Sequence, residues 1–492
     1  MPGSFSSWPH LTLRAPSVLL SSILNSREHP FGRRYWSAKC PFATMAARAT
    51  RILSVHRLNR LPENQSIAEW WAAERGTVEA AVVAEAADII RTSDIPVGFP
   101  TETVYGLGAD ATRSSAVRGI YTAKQRPSDN PLIVHVDSIE MVQRLLNPRQ
   151  VNGVELSTAE MNVIPPIYQP IISRFWPGPL TILLPNPSHS LLAKEVTSNL
   201  ATFGVRMPAS PFARLLIHVA DRPLAAPSAN TSTKPSPTTA QHVYHDLKGR
   251  IDLVLDGGPC GVGVESTVVD GLSDPPAILR PGGIGIEELR TCPGWENVKI
   301  GYHDSSLQLK EAPRAPGMKY RHYSPKAKVV LFDADSNVVS VAKRVLEDLK
   351  NPDVSVERVG IIRTRGWAPG LGLLPSANAM EQNLPSLPKE EVNTHIANNS
   401  HDGSGAVCSS PFIFEVPLSN GEPCAKNTRQ VYDISLGKST ESIARRLFSA
   451  LRTLDELNVH IIYVEGISDA DGDLAAAIMN RLRKAAEVEM KI

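Results

Sequence analysis

The stretch Phe99 to Val136, FPTETVYGLGADATRSSAVRGIYTAKQRPSDNPLIVHV, decides how the rest of this chain is read. A short apolar run, Ile95 to Phe99, leads into it with the composition of a buried strand. The hydroxyl-rich turn Thr101-Glu102-Thr103 follows, and Gly106 and Gly108 then permit close approach of backbone or ligand. Val117, Ile120 and Tyr121, at one-face spacing, predict a helix that carries Lys124 at its end. Pro127 stops that helix one residue after Arg126. A second strand, Pro131 to Val136, brings His135 to its exit. Two strands flanking a hydroxyl turn, an ammonium and a guanidinium make an anion site; cations gathered at a helix C-terminus are the plain structural alternative.

Working outward, the 492 residues exceed what one core serves, so two domains with additions are expected. The formal net charge is +1, so no global field draws the chain to nucleic acid or a membrane. A polyanion must be met locally. The five cysteines are widely spaced without a C-x-x-C pair, which argues against a zinc or disulfide framework and for a reducing compartment. No run is long and apolar enough to span a bilayer, so no membrane contact is expected. Residues 1–61 differ from the rest: they are rich in Arg and Ser, with Glu28 the single acid before Glu63. That is the composition of a mitochondrial transit peptide, with a disordered basic tail as the alternative. Met45 would serve as an internal start for a shorter, cytoplasmic form. The segment is set aside from the fold.

Residues 62–305 read as an α/β domain with an open twisted sheet. Val78, Val82, Ala86 and Ile89 mark a helix, with further helices near 210–220 and 238–248. Strands are expected at Leu180–Leu184, Ala201–Met207, Pro223–Ala226, Ile251–Leu255, Val264–Val269 and Ala277–Leu279. Residues 148–165 lack periodicity and read as a loop insertion. A linker, 306–325, is restrained by prolines and packs Lys319, Tyr320, Arg321, His322 and Tyr323 together. Such side chains suit stacking on a purine and contact with phosphate, or docking onto their own domain. Residues 326–492 alternate again as a smaller, Rossmann-like α/β domain. The Gly-, Ser-, Asn- and Pro-rich stretch 364–429 interrupts it and is expected to be disordered. Gly370-Leu371-Gly372 lies in that stretch and not after a strand, so no dinucleotide fingerprint is present.

The candidate chemistry collects at strand ends. Thr202 and Arg206, four apart, share one face of a strand. Ala226-Pro227-Ser228-Ala229-Asn230, Pro235-Ser236-Pro237-Thr238, Glu265-Ser266-Thr267 and Arg280 each stand beside Gly or Pro at the end of an expected strand. Ligands of open α/β sheets gather at such places. Several arginines and a lysine suit an acid with many negative groups, such as a nucleoside triphosphate with a carboxylate beside it. GxxxxGK[ST], HExxH and a nucleophile–base pair are all absent.

In this order the pieces resemble the threonylcarbamoyl-AMP synthase family in its longer form, a YrdC-like domain, a linker and a C-terminal accessory domain. The family's K-x-R…S-x-N signature reads as Lys124-Gln125-Arg126 and Ser228-Ala229-Asn230. FPTETVYGLG, RPSDNPLIVHV, WPGPLT, GVRMP, PSPT, GVEST, LRPG and the linker PGMKYRHYSP also match. The match is dense over about 62–330 and looser beyond. The basic start, the loop at 148–165 and the 364–429 insertion depart from the pattern without removing a motif residue. The resemblance implies that L-threonine, bicarbonate (or CO2) and ATP give threonylcarbamoyl-AMP and pyrophosphate. The product then goes to a separate tRNA threonylcarbamoyltransferase complex that modifies the adenosine next to the anticodon; direct tRNA contact is left open. It implies that Thr103, His135, Arg206, Ala226 and Ser266 hold threonine. Arg126, Asn130, Thr202, Ser228, Asn230, Ser236, Arg280 and Tyr320 would bind ATP, with Lys124 and Arg126 catalytic. Mg2+ would be held mainly through ATP phosphates. Two rivals stand beside it. A carbamoyltransferase of hydrogenase-maturation type should carry acylphosphatase and zinc-finger modules, and neither is found here. An RNA-binding YrdC-like protein without synthase activity needs a basic surface, against which the near-neutral charge argues.

Overall fold

Short runs of Val, Ile and Leu bounded by Gly, Pro and Asp fold as strands here, and they sort into two sheets. The computed structural model describes residues 48–127, 130–147, 164–302, 322–350, 357–373, 410–417 and 428–492. Ala47 to Ile492 form one body. The larger sheet comprises β1 (Arg51–Ser54), β2 (Val97–Phe99), β3 (Gly106–Asp110), β4 (Ile133–His135), β5 (Leu180–Pro185), β6 (Thr202–Arg206), β7 (Leu224–Ala225), β8 (Leu253–Asp256), β9 (Thr267–Asp270), β10 (Ala277–Arg280) and β11 (Lys299–Ile300). Their order is β1-β8-β2-β3-β7-β4-β6-β5-β9-β10-β11, with parallel and antiparallel neighbours mixed. The mixing matters for the site, because strand ends of both polarities meet around one cavity.

Helices expected from periodicity form where the spacing puts them. Val78–Thr92 forms, but its buried face is Val83, Ala86 and Ile90 and not the Val78–Ile89 stripe, for Val78 is exposed; Thr77 caps it by accepting from the Ala80 amide at 3.1 Å. Ser114–Lys124 buries Val117, Ile120 and Tyr121. Pro211–Ala220 and Ala240–Leu247 also fall within their expected spans. Ile67–Glu74 and Ile139–Leu146 were not anticipated; Ser66 and Glu69 form a capping box on the first.

Three readings need correction. Residues 1–61 do not all lie outside the fold: β1 pairs in parallel with β8, and Val55 and Leu58 just after it are fully buried. Gly106 and Gly108 sit in a strand, β3, antiparallel to β2. A Cβ at either would lie 2.8–2.9 Å from the Phe99 ring, so the close approach that glycine allows is chiefly to that ring. The stretch 364–429 is structured in part, with a 3-10 turn at Pro369–Gly372 and a strand, Phe412–Pro417. That strand has the aromatic and β-branched composition of an edge strand, which the polar residues around it obscured.

The second sheet comprises β12 (Lys328–Phe332), β13 (Arg358–Arg363), β14 (Phe412–Pro417), β15 (Thr428–Ser435), β16 (Ile461–Glu465) and β17 (Val488–Met490), in the order β14-β15-β13-β16-β12-β17. All its pairings are parallel except that of β14 with β15. Helices Val338–Lys350, Thr440–Glu456 and Asp473–Ala485 alternate with its strands, as a Rossmann-like unit requires. Its apolar cluster does not stop at the domain boundary. Val104 and Val264, from two loops of the first sheet, pack into it with Leu447, Phe448 and Ile478. Residues 148–163, the linker through Arg321 (with Tyr320) and most of 374–427 lie outside the described residues.

Candidate active site

The loop between β2 and β3 is closed by its own hydroxyls. Thr101 Oγ1 donates to the Val104 carbonyl at 2.7 Å and lies 2.9 Å from Thr103 Oγ1. Arg206 Nη1 donates to Thr103 Oγ1 at 3.0 Å, and Nε donates to the Gly178 carbonyl at 3.1 Å. Its Nη2 pairs with Glu102, which also accepts from the Ala209 amide at 3.0 Å. Three of five N–H donors are thus used by the protein, leaving two for a ligand. His135 and Arg206 are register partners on the parallel strands β4 and β6, so both side chains reach the cavity from strand C-termini. Burial, and then Arg206, hold the His135 imidazole down at about 3, so it is neutral. Its Nδ1 lies 3.3 Å from the Ile133 carbonyl.

The helix Ser114–Lys124 ends on Gln125 in the left-handed conformation, φ 54°. That turn lets Lys124 and Arg126, two residues apart, both line the cavity. Lys124 is buried, and its Nζ donates to the Ser228 carbonyl, to the Asn230 carbonyl at 2.7 Å and to Asn230 Oδ1 at 3.3 Å. An ammonium has three donors. Lys124 therefore anchors the S-x-N loop, and the two halves of the K-x-R…S-x-N signature are one hydrogen-bonded unit. Burial, and then Arg126, push its pKa well below that of a free lysine. The loop is further held by Ser228 Oγ donating to Asn230 Oδ1 at 2.6 Å, and by the Ala229 amide donating to the Tyr105 carbonyl at 2.8 Å.

Across the cavity, Arg280 donates through Nη2 to the Ser266 carbonyl at 2.9 Å and to Ser266 Oγ at 3.1 Å. Burial lowers its pKa to about 10, so it stays charged. Ser266 Oγ also lies 2.8 Å from Thr181 Oγ1. Ser236 Oγ donates to Glu265 Oε1 at 2.5 Å. The end of the linker reaches the site: His322 and Tyr323 line the cavity, and the Ser324 amide donates to the Thr233 carbonyl at 2.9 Å.

Of the residues named from sequence, Thr103, Lys124, Arg126, His135, Arg206, Ala226, Ser228, Asn230, Ser236, Ser266 and Arg280 line this single cavity. Thr202 does not: it begins the strand that Arg206 ends, roughly 13 Å away at the rise of an extended chain. Asn130 is buried, with Oδ1 unpartnered among the described residues, and does not line the cavity. Sequence reasoning missed Lys234, and it named Glu102 only as part of the hydroxyl-rich turn. It quoted Glu265 only as part of a motif and missed two arginines of the second sheet's helices, Arg452 and Arg481. Both are buried on faces otherwise apolar. A charge in an apolar stripe is the signal that marks them.

Among the described residues, five lysine and arginine side chains and one carboxylate, Glu265, line a hydroxyl-rich cavity at the strand ends of an open sheet. Such a site defines an α/β enzyme that handles a polyanion. Residues 90–282 match the Sua5/YciO/YrdC family, described as "Telomere recombination", and residues 284–487 match the family described as the C-terminal domain of threonylcarbamoyl-AMP synthase. The chain is 43% identical to the threonylcarbamoyl-AMP synthase of Schizosaccharomyces pombe over 82% of its own length and 88% of the relative's. It is 36% identical to that of Bacillus subtilis over 82% and 92%. The crystal structure of Pyrococcus abyssi Sua5 complexed with L-threonine superposes with a TM-score of 0.61 at 32% identity, covering 90% of this chain and all of that one. The chain belongs to the threonylcarbamoyl-AMP synthase family, ATP-using enzymes of nucleotidyl transfer.

Proposed function

We propose that this chain makes threonylcarbamoyl-AMP and pyrophosphate from L-threonine, bicarbonate (or CO2) and ATP. The product supplies a tRNA threonylcarbamoyltransferase complex that modifies the adenosine next to the anticodon. The observation that carries the reading is the Arg206 site: a buried guanidinium with two N–H donors to spare, beside the hydroxyl of Thr103 and a neutral imidazole. An amino acid fits it, with the carboxylate on Arg206 and polar groups near Thr103, His135 and Ser266. Binding of L-threonine by the Pyrococcus abyssi relative supports an amino-acid substrate.

On this reading the carbamate oxygen of N-carboxythreonine attacks the α-phosphorus in line, and the bond to pyrophosphate breaks. Arg126 and Arg280 face the charge that grows there. Lys124 acts chiefly by holding the Ser228–Asn230 loop on which the phosphates lie. Mg2+ suits such a substrate, and the donor set says how it would arrive. Among the described residues no three His, Cys, Asp or Glu cluster, and Glu265 is already engaged by Ser236 and Arg481. Phosphate oxygens and water would hold it. No helix among the described residues is long and apolar enough to cross a membrane. The Arg- and Ser-rich start supports a mitochondrial form beside a cytoplasmic one. The test is pyrophosphate release from ATP. Release that requires both threonine and bicarbonate supports the reading, and release without either one overturns it.

A further inference from the structure

Among the described residues the cavity has one carboxylate in its wall, which is out of place in a site for a polyanion unless its charge is already spent. Glu265 is buried, and each of its contacts leads to a different part of the molecule. Oε1 accepts from Ser236 at 2.5 Å, in the loop before the helix Ala240–Leu247. Oε2 accepts from Arg481 Nε at 3.1 Å, on the last helix of the second sheet. Tyr323, at the end of the linker, lines the same cavity, and burial and then the Glu265 charge raise the pKa of its hydroxyl. Arg481 is 1% exposed and holds the neighbouring turns as well. Its Nη1 donates to the carbonyls of Pro281 and Ala477, and its Nη2 to the Glu265 carbonyl at 3.4 Å.

We propose that Arg481 is a positioning residue of the active site: through Glu265 it places Ser236 and Tyr323, so the nucleotide side of the cavity is complete only with the C-terminal half docked. Deepening the proposed function, this rests on its reading of a nucleotide in this cavity, with the contacts at Ser236 and Arg280 that the family resemblance implies. Three further observations support it. Gly263, two residues before Glu265, has φ +85° and packs on the backbone of the helix Thr440–Glu456, where a Cβ would lie 2.4 Å from Arg445 Cα. Arg452 of the same helix donates to the Pro235 carbonyl and pairs with the buried Asp246 at 2.8 Å. Tyr323 stacks on Phe448 of that helix, ring centroids 5.1 Å apart. The loops on both sides of Ser236–Glu265 are therefore held from the C-terminal half. A buried ion pair contributes little net stability after desolvation, and fixing geometry is its best-attested use.

The test uses the full chain. The wild type is first assayed for pyrophosphate release that needs threonine and bicarbonate; failure there sinks the proposed function and not this inference. Two variants follow, each checked by thermal melting. Arg481→Lys keeps the charge but cannot make the Nε, Nη1 and Nη2 contacts together. Glu265→Gln with Arg481→Met removes both charges, so neither is left buried and unpaired. Displacing a positioned loop by about 1 Å costs on the order of 10²-fold, so kcat/KM for ATP should fall roughly 10- to 100-fold in each. The loss should lie mainly in KM for ATP, while KM for threonine stays within about 3-fold of wild type. Purely structural glue would change the melting temperature and leave these constants alone. Wild-type kcat/KM for ATP in either folded variant, or an equal loss for threonine and ATP, would overturn the proposal.

Discussion

Arg126 is brought into the cavity by a single left-handed residue, Gln125, and its guanidinium faces the place where the α-phosphate is read to lie. Replacing it with alanine removes a charge from a buried transition state. Arg126→Ala should lower adenylate formation by about 10²-fold or more while the circular dichroism spectrum is unchanged. A folded variant with near-normal turnover would show that the phosphates lie elsewhere. The amino-acid side of the cavity makes a second demand. Thr103 and Ser266 present hydroxyls where a valine side chain could not answer them. Threonine should therefore exceed valine in kcat/KM by roughly 10²-fold or more. Equal rates would mean that the pocket reads shape alone.

At the scale of elements, β1 makes an edge that its sequence hides. Its four residues, Arg51–Ser54, run parallel to β8, and the amides of Arg51 and Val55 donate to the Asp252 and Asp256 carbonyls at 2.9 and 2.8 Å. Val55 and Leu58 behind it are fully buried, and each such side chain contributes about 1.5–3 kcal/mol. A chain beginning at Leu61 should melt at least about 5 °C below the full chain, as differential scanning calorimetry would read. An unchanged melting temperature would mean that β8 tolerates a bare edge.

For the whole molecule, acid stability follows from three buried histidines. In the folded protein burial holds His135 and His242 at about 3 and His322 at about 4, aided by Arg206, Arg452 and Arg126 respectively. An unfolded chain titrates them near 6.5. Between these values the unfolded state binds more protons, so stability is whole above about pH 6.5 and falls as pH drops towards 4. Each histidine contributes up to about 1.4 kcal/mol per pH unit. His56 works the other way, since its hydrogen bond to Asp256 raises its pKa. Asp246, held low despite its burial by His245 and Arg452, keeps its charge through this range. The melting temperature should decline from pH 7 to pH 5, and His242→Gln should flatten the slope. A curve that is level over that interval would contradict the assignment.

Sequence alone determined the order of strands and helices along most of the chain, because periodicity and breakers are local properties. It also determined most of the cavity wall. Motif residues stand at strand ends, and a strand end is legible wherever an apolar run meets Gly or Pro. What it left open depends on partners far along the chain. The short strands β1, at a sheet edge, and β3, between β2 and β7, are stabilised by neighbours and not by their own composition. Lys124 reads as a phosphate ligand until the S-x-N loop, 104 residues on, is seen to occupy its donors. Arg206 shows its spare N–H groups only once Glu102 and Thr103 fold against it. Glu265 and Arg481 lie 216 residues apart, and only the packing of the second sheet's last helix on the first sheet's loops makes them a pair. Apolar patterning names the face a helix buries. Which charge another element places opposite that face is settled by tertiary packing alone.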